Sequence, residues 1–481
     1  MSEERTVFKS ASWLTFFKVI SQMFSWTATI LVARLLVPGD YGLMAMATII
    51  TGYAEMFGEL GVGAALIQRP VLTKEDLSSV FWFNLAFSML LAGGCFIAAY
   101  PTAYLFHEPK VIPLTQTVSV LFIISGLQIV PHNLLKKKQE FKKIGFIEMV
   151  TTLISCLAMP LMAYLGAGVW TLIGGRIVRS ATKLVMVYNY LGWYPKFIFS
   201  FERAKSLLRF GVTVALGNSL FYVYDKSDRF FAGRAWSASI LGYYTFALEL
   251  AQIPTEKIVV LINQVSFPSF AKLQNDRISF NRFYLNINKI TAIIVLPLFA
   301  CGFLLGNELV RILLNEKWVP IIPLFRYLCL AQIFTALIAV NNFVHIAKGN
   351  PRYSFIFNAI CAVLMPISFA IAVQGGLYAM ILPWVTIYVL ICSCWIVFTL
   401  RKIGVGVGTY MRNLLSPFIG TLIMGAAVLC MDMVLKILFA APLHIIMLLG
   451  IKTVIAFTVY LAYLAFFDRE YLKKIYSLRT A

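Results

Sequence analysis

The chain has 481 residues, 60% of them hydrophobic and 13% charged, with a mean hydropathy of +0.82. That balance excludes a water-soluble globular protein of this length and predicts a polytopic membrane protein. The formal net charge of +20 does not point to nucleic acid, because the Lys and Arg residues sit in the breaks between apolar runs rather than in one tract.

The apolar runs are about twenty residues long and show no alternating, strand-like pattern, so they read as helices, hydrocarbon offering no partner to an unpaired backbone group. Taken in order, fourteen helices are predicted, beginning near Ala11, Tyr41, Ser78, Val111, Phe146, Gly168, Gly211, Ile240, Phe283, Pro320, Tyr353, Gly375, Met411 and Pro442. The opening segment MSEERTVFKSASW lacks a signal-peptide core and a small-residue cleavage site, so the first run is expected to remain as a helix. An even helix count places both termini on one side. The loops on that side carry 25 Lys and Arg residues against 5 on the other, which predicts cytoplasmic termini.

Between the sixth and seventh helices, WYPKFIFSFERAKSLLRFG is polar and partly amphipathic, without a full apolar span. It marks a division into residues 1–192, a linker at 193–210, a second half at 211–403, and two further helices with a cytoplasmic tail at 404–481. A gapless alignment of ARLLVPGDYGLMAMATII, from Ala33, with GRAWSASILGYYTFALEL, from Gly233, supports an internal repeat 200 residues apart. Its identities are Arg34 with Arg234, Gly42 with Gly242 and Ala47 with Ala247, and in both copies a helix ends in Arg, turns, and restarts near Gly. The predicted fold class is therefore an all-α polytopic membrane protein with parallel repeats, of the kind that encloses a central cavity. Pro131 in the fourth helix and Pro254 in the eighth are expected to bend their helices.

Charges inside the apolar runs are the candidate functional residues, because such groups are costly unless paired or facing water. On the seventh helix Asn218, Tyr222, Asp225 and Arg229 share one face, with Asp228 to one side. Either Asp225 pairs with Arg229 one turn on, leaving Lys226 to reach another helix, or this face borders a water-filled cavity. On the sixth helix Arg176, Arg179 and Lys183 share a face with no acid beside them, a cationic patch suited to an anionic ligand; Lys183 can instead snorkel. Lys18 on the first helix can join that patch. Glu55 and Glu59 form a like-charge i, i+4 pair on the second helix, which either shares a titrating proton or divides between two basic partners. Glu249, Glu256 and Lys257 on the eighth are similarly placed. His345 is either a pH sensor or an interfacial structural residue, and KKKQEFKK at 136–143 is a positive-inside anchor against anionic lipid. The eight cysteines show no metal-ligand spacing and read as small core residues, so neither a metal nor a cofactor is expected.

Several stretches carry a resemblance: WLTFFKVISQMFSWTATILVARLLVPGDYGLMAM, FGELGVGAALIQR, KKQEFKKIGFIE, and above all LGYYTFALELAQIPTEKIVVLINQVSFPSFAKLQND. In order, they resemble the Wzx-like polysaccharide exporters of the colanic acid and teichuronic acid type, within the multidrug, oligosaccharidyl-lipid and polysaccharide exporter (MOP) superfamily. The resemblance runs from about Ala11 to about Arg401 and fades in the last two helices. It implies two six-helix bundles with pseudo-twofold symmetry around a cavity, in a bacterial inner membrane, working by alternating access. The implied cargo is a polyprenyl-diphosphate-linked oligosaccharide flipped to the periplasmic leaflet, with membrane lipids and other polysaccharide-assembly membrane proteins as partners. Lys18, Arg34, Arg176, Arg179, Arg229 and Arg234 are then the candidates for binding the diphosphate. Glu55, Glu59, Asp225, Lys226, Asp228, Glu249, Glu256 and Lys257 are the candidates for gating or ion coupling. The alternatives are a cation-coupled drug exporter of the same superfamily, with a more acidic cavity, and a membrane polysaccharide polymerase or ligase. The latter needs catalytic residues on a sizeable outer loop, and GNELVRILLNEKWVP is short and lacks His.

Overall fold

The computed structural model describes residues 2–58, 66, 72–200, 219–438 and 444–468, and among them every regular element is helical. The fourteen long helices are α1 (Ser2–Leu35), α2 (Pro38–Gly58), α3 (Lys74–Phe106), α4 (Val111–Lys137), α5 (Phe141–Tyr164), α6 (Trp170–Leu191), α7 (219–235), α8 (Ala238–Lys272), α9 (Arg277–Leu304), α10 (Ile321–Ala347), α11 (Pro351–Ala372), α12 (Ile387–Ile403), α13 (Val407–Leu438) and α14 (Ile445–Phe467). A short helix, Gly306–Leu313, follows α9, and a broken helical stretch, Leu377–Val385, leads into α12. Ten of the long helices are long and apolar enough to cross a membrane. The remaining four, α2, α6, α7 and α8, carry most of the candidate intramembrane charges, Lys18 and Arg34 of α1 being the others.

Several helices begin well before their apolar runs, because capping chemistry rather than hydropathy sets where they start. Thr73 and Asp76 form a reciprocal capping box ahead of α3, each side chain accepting the other's backbone N–H at 3.1 Å. Asp276 accepts from Ile278 and Ser279 at the start of α9. The hydrogen bonds from Ser279, with that from Ile278, hold this exposed carboxyl below its ordinary range. Pro131 and Pro254 lie inside continuous helices.

The chain forms two compact units, Met1–Gly242 and Tyr243–Ala481. In the first, α3 packs on α4, α1 on α5, α5 on α6, and α2 against α3 and α4. One core joins Leu77, Val80, Phe81 and Leu85 of α3 to Ile129, Val130 and Leu134 of α4; another joins Leu135, Ile144, Ile147 and Val187 across α4, α5 and α6. The described start of the linker is fastened along α3: the Lys196 and Ser200 N–H groups donate to Ser78 Oγ and Ser79 Oγ at 3.0 and 3.1 Å, and Trp82 Nε1 donates to Lys196 O at 2.8 Å. This unit also includes α7 and the first residues of α8, so compactness divides the chain later than the linker does.

In the second unit α9 packs on α10 and α13, α10 on α12, and α13 on α14. Ile293, Met424, Val428, Ala456, Tyr460 and Leu464 fill the space between α9, α13 and α14. Ion pairs tie α14 two turns into the helix and at its C-terminal end. Lys452 Nζ meets Glu308 Oε1 and Asp432 Oδ1 at 2.6 Å each, and Asp468 accepts from Lys289 at 2.5 Å and from Ser416.

The repeat inferred from sequence has a direct physical expression in the first unit. A Cβ built on Gly42 would lie 1.7 Å from Ala238 O, and one on Gly242 would lie 1.7 Å from Pro38 O. Both the glycines and the facing carbonyls are 200 residues apart, so the first turns of α2 and α8 cross backbone to backbone in a reciprocal contact that only glycine permits. Such approaches are held by packing and weak Cα–H···O contacts. Gly42→Ala should therefore lower the thermal unfolding midpoint of the purified protein, at a cost of about 1–3 kcal/mol. Gly93→Ala, where the added methyl meets nothing within 4 Å, should leave the midpoint unchanged or raise it slightly. Equal midpoints for Gly42→Ala and wild type would contradict the crossing.

Candidate functional site

The charged face of α6 is set by how closely α6 approaches α5. A Cβ on Gly174 or Gly175 would come within 2.3 Å of Met162 or Met159, and Ser155 Oγ donates to Gly175 O at 3.0 Å. This seating carries the next residue, Arg176, to the face directed at α2. Arg176 Nη2 meets Glu55 Oε1 at 2.6 Å, while Lys183 Nζ and Arg179 Nη2 share Glu148 of α5 at 2.8 and 3.4 Å. The expectation of three cations without acids is thus corrected. Their acids come from α2 and α5, and spacing along one helix cannot reveal a partner on another.

The two sets of pairs differ in environment. The side chains of Arg176 and Glu55 are 37% and 47% exposed, whereas Lys183 and Glu148 are 23% and 30% exposed. Arg179, with the longest contact, is 53% exposed. Arg176, Arg179 and Lys183 against Glu55 and Glu148 leave a net charge of +1 on this face when all are ionised.

On α7, Asp225 pairs with its neighbour Lys226 at 2.6 Å rather than with Arg229. The flexible lysine stem folds back to the adjacent carboxylate, which the i, i+4 expectation did not allow for. Asp228 and Arg229 are buried, and Asp228 Oδ1 accepts the Arg229 backbone N–H at 2.6 Å. Tyr222 shows where this helix faces: its hydroxyl donates to Ile49 O and Thr48 O of α2 at 2.8 and 3.2 Å, over Gly52, and its ring meets Tyr53. The seventh helix therefore lays its Tyr222 face on α2 a turn or two from Glu55.

The other candidates are dispersed. Arg34 is exposed at the end of α1, and Arg234 Nη1 donates to Leu105 O at 3.1 Å. Lys18 is exposed, and 17 residues separate it from Leu35, so it lies about 25 Å from that end of α1. Glu249, Glu256 and Lys257 are exposed on the part of α8 that belongs to the second unit. Glu59 and Asn218 lie outside the described residues. His345 is buried, bonded to Thr399 Oγ1 at 2.9 Å and ringed by Tyr353, Trp395 and Phe398, an environment that fits its structural reading.

Residues that sequence reasoning passed over include Glu148, Lys289, Glu308, Arg326, Asp432, Lys452 and Asp468. Arg326, inside α10, donates to Phe303 O at 2.7 Å and covers the Phe303 ring. Glu148, in FIEMVTTL, and Lys452, in GIKTVIAF, are each a charge within an apolar run, a signal that the sequence carries.

The helical architecture is that of the MOP transporters. Over 95% of this chain and 99% of the other, it superimposes on the lipid II flippase MurJ in an inward closed conformation, with a TM-score of 0.78 at 16% identity. It also matches an inward-facing multidrug resistance MATE transporter of the MOP superfamily, with a TM-score of 0.65 over 80% and 94% of the two chains at 16% identity. The chain belongs to the polysaccharide biosynthesis protein family, whose model matches residues 31–323. It is 25% identical to the lipopolysaccharide biosynthesis protein WzxC of Escherichia coli over 74% of this chain and 73% of that one. It is 24% identical to the succinoglycan biosynthesis transport protein ExoT of Rhizobium meliloti over 88% and 86%. The chain is thus a member of the polysaccharide biosynthesis protein family with the helical fold that these two structures share.

The pairing scheme can be measured by double-mutant cycles in thermal or denaturant unfolding. Glu148→Gln with Lys183→Met should show a coupling of about 0.5–3 kcal/mol. Glu55→Gln with Arg176→Met should couple by about 1 kcal/mol or less, as half-exposed pairs do. A larger coupling for the second cycle would overturn this ranking.

Proposed function

We propose that the protein flips a polyprenyl-diphosphate-linked oligosaccharide repeat unit from the cytoplasmic to the periplasmic leaflet by alternating access, for cell-surface polysaccharide biosynthesis. The observation that carries this reading is the α6 face, where two arginines and a lysine outnumber two acids in a partly open setting. Guanidinium forks match phosphate geometry and deliver charge-assisted hydrogen bonds, and an excess positive charge suits an anionic headgroup. A cation-coupled drug exporter of the same fold would want the opposite sign there. The relatives' roles in lipopolysaccharide and succinoglycan biosynthesis, and MurJ's in flipping lipid II, support the cargo class.

Within this proposal Arg176 and Arg179 are the diphosphate contacts, with Lys18, Arg34 and Arg234 along its route. Arg229, being buried, serves α7 rather than the cargo. Asp225, Lys226 and Asp228 on α7, and Glu249, Glu256 and Lys257 on α8, are the gating or coupling groups. The protein lies in the bacterial inner membrane with both termini cytoplasmic, and the segment 193–210 joins its two repeats in sequence. Other membrane proteins of polysaccharide assembly are its partners.

Replacing Arg179 removes a charge-assisted contact of about 1.5–3 kcal/mol, so Arg179→Ala should cut surface polysaccharide export by about tenfold or more at unchanged protein abundance. Equal export at equal abundance would remove Arg179 from the site. For topology, a thiol at the exposed Lys138, as Lys138→Cys, should react with a membrane-impermeant maleimide only when the cytoplasmic face is open to it. Labelling of intact cells would invert the orientation.

A further inference from the structure

The cations of α6 are held in two different ways. Arg179 and Lys183 pair with Glu148 on α5, against which α6 packs along its length, so these pairs lie within one wall. Arg176 instead reaches Glu55 on α2, a helix that packs against α3, α4 and the Tyr222 face of α7. The pair is a side-chain bridge between helices, and both ends stand well exposed.

The bridge is also incomplete on the cation's side. Arg176 offers five N–H donors, and among the described residues one contact, from Nη2 to one carboxylate oxygen, engages it. The rest of the fork is open to an incoming anion, which can dock there before the carboxylate leaves. Glu55 holds the place that a phosphate oxygen would take.

We infer that Glu55 is a displaceable internal anion: without cargo it occupies Arg176, and an arriving diphosphate takes its place, releasing α2 from α6. This rests on the diphosphate reading of the α6 face. Cargo binding and the α2–α6 bridge are then mutually exclusive, so occupancy is reported mechanically to α2. That helix carries the news to its first turn, where Gly42 crosses the start of α8. An internal carboxylate also keeps Arg176 from standing as a bare cation among the anionic phospholipids of the same leaflet. Phosphatidylglycerol, with one negative charge, would exchange one ion pair for another, whereas a diphosphate can span Arg176 and Arg179, one turn apart.

The test is the affinity of the purified protein, in nanodiscs of neutral lipid, for farnesyl diphosphate. Glu55→Gln should bind it about two- to fivefold more tightly than wild type, the gain expected from removing a half-exposed competing pair. In an Arg176→Gln background the same substitution should bring no gain, since the competitor then has nothing to occupy. Unchanged or weaker binding by Glu55→Gln contradicts the inference. So does an equal gain without Arg176, which would mean long-range repulsion rather than displacement. If folded wild-type protein fails to bind farnesyl diphosphate at all, the diphosphate reading of the face falls, and the inference falls with it.

Discussion

A charge placed in a membrane-spanning helix has to find an opposite charge, a polar partner or water, and that requirement governs much of this structure. The cost of leaving it alone is at least a few kcal/mol, comparable with any single packing contact. In the first unit it binds α6 to α5 through Glu148 and bridges α6 to α2 through Glu55. In the second it fixes α14, through Lys452 and Asp468, to helices more than a hundred residues earlier. The two settings have different consequences. The Lys452–Glu308 and Lys289–Asp468 pairs are almost wholly buried and act as staples, while the Arg176–Glu55 pair is half open.

The other organising contact carries no charge. Where α2 and α8 begin, the chain comes so close to itself that a methyl group would collide with a carbonyl oxygen on either side. The reciprocity of that crossing explains why so few identities survive between the repeats. Most of the repeat has only to be helical and apolar, which many sequences satisfy, but at the crossing glycine alone fits. Glu55 and the crossing lie at different points along α2, so one helix joins the ion pair with Arg176 to the glycine contact.

The helical architecture was legible in the sequence because lipid simplifies the problem. About twenty apolar residues make a helix, and α4 begins at the expected Val111. Elsewhere helices such as α3 and α9 start earlier, since Thr73 and Asp276 cap the chain ahead of its apolar run. The site was legible by half. One-helix geometry brought Arg176, Arg179 and Lys183 to a common face, but it was blind to Glu148, which lies 35 residues from Lys183 and meets it only in the folded chain. It also offered Arg229 as a possible partner for Asp225, which pairs instead with Lys226. Helical periodicity places Cβ atoms, whereas a lysine's four-carbon stem lets its ammonium reach well away from them.

The central claim is that a cationic face on α6 moves a diphosphate-linked lipid across the bilayer. Its most direct measurement is the transbilayer movement of a fluorescent polyprenyl-diphosphate-linked oligosaccharide in vesicles containing the purified protein, read by quenching the outer leaflet. The account predicts faster movement than in protein-free vesicles, a fall to the protein-free rate in an Arg176→Gln, Arg179→Gln variant, and no acceleration of a neutral fluorescent lipid. Wild-type vesicles that move the substrate no faster than lipid alone, or a double variant that moves it as fast as wild type, would contradict it.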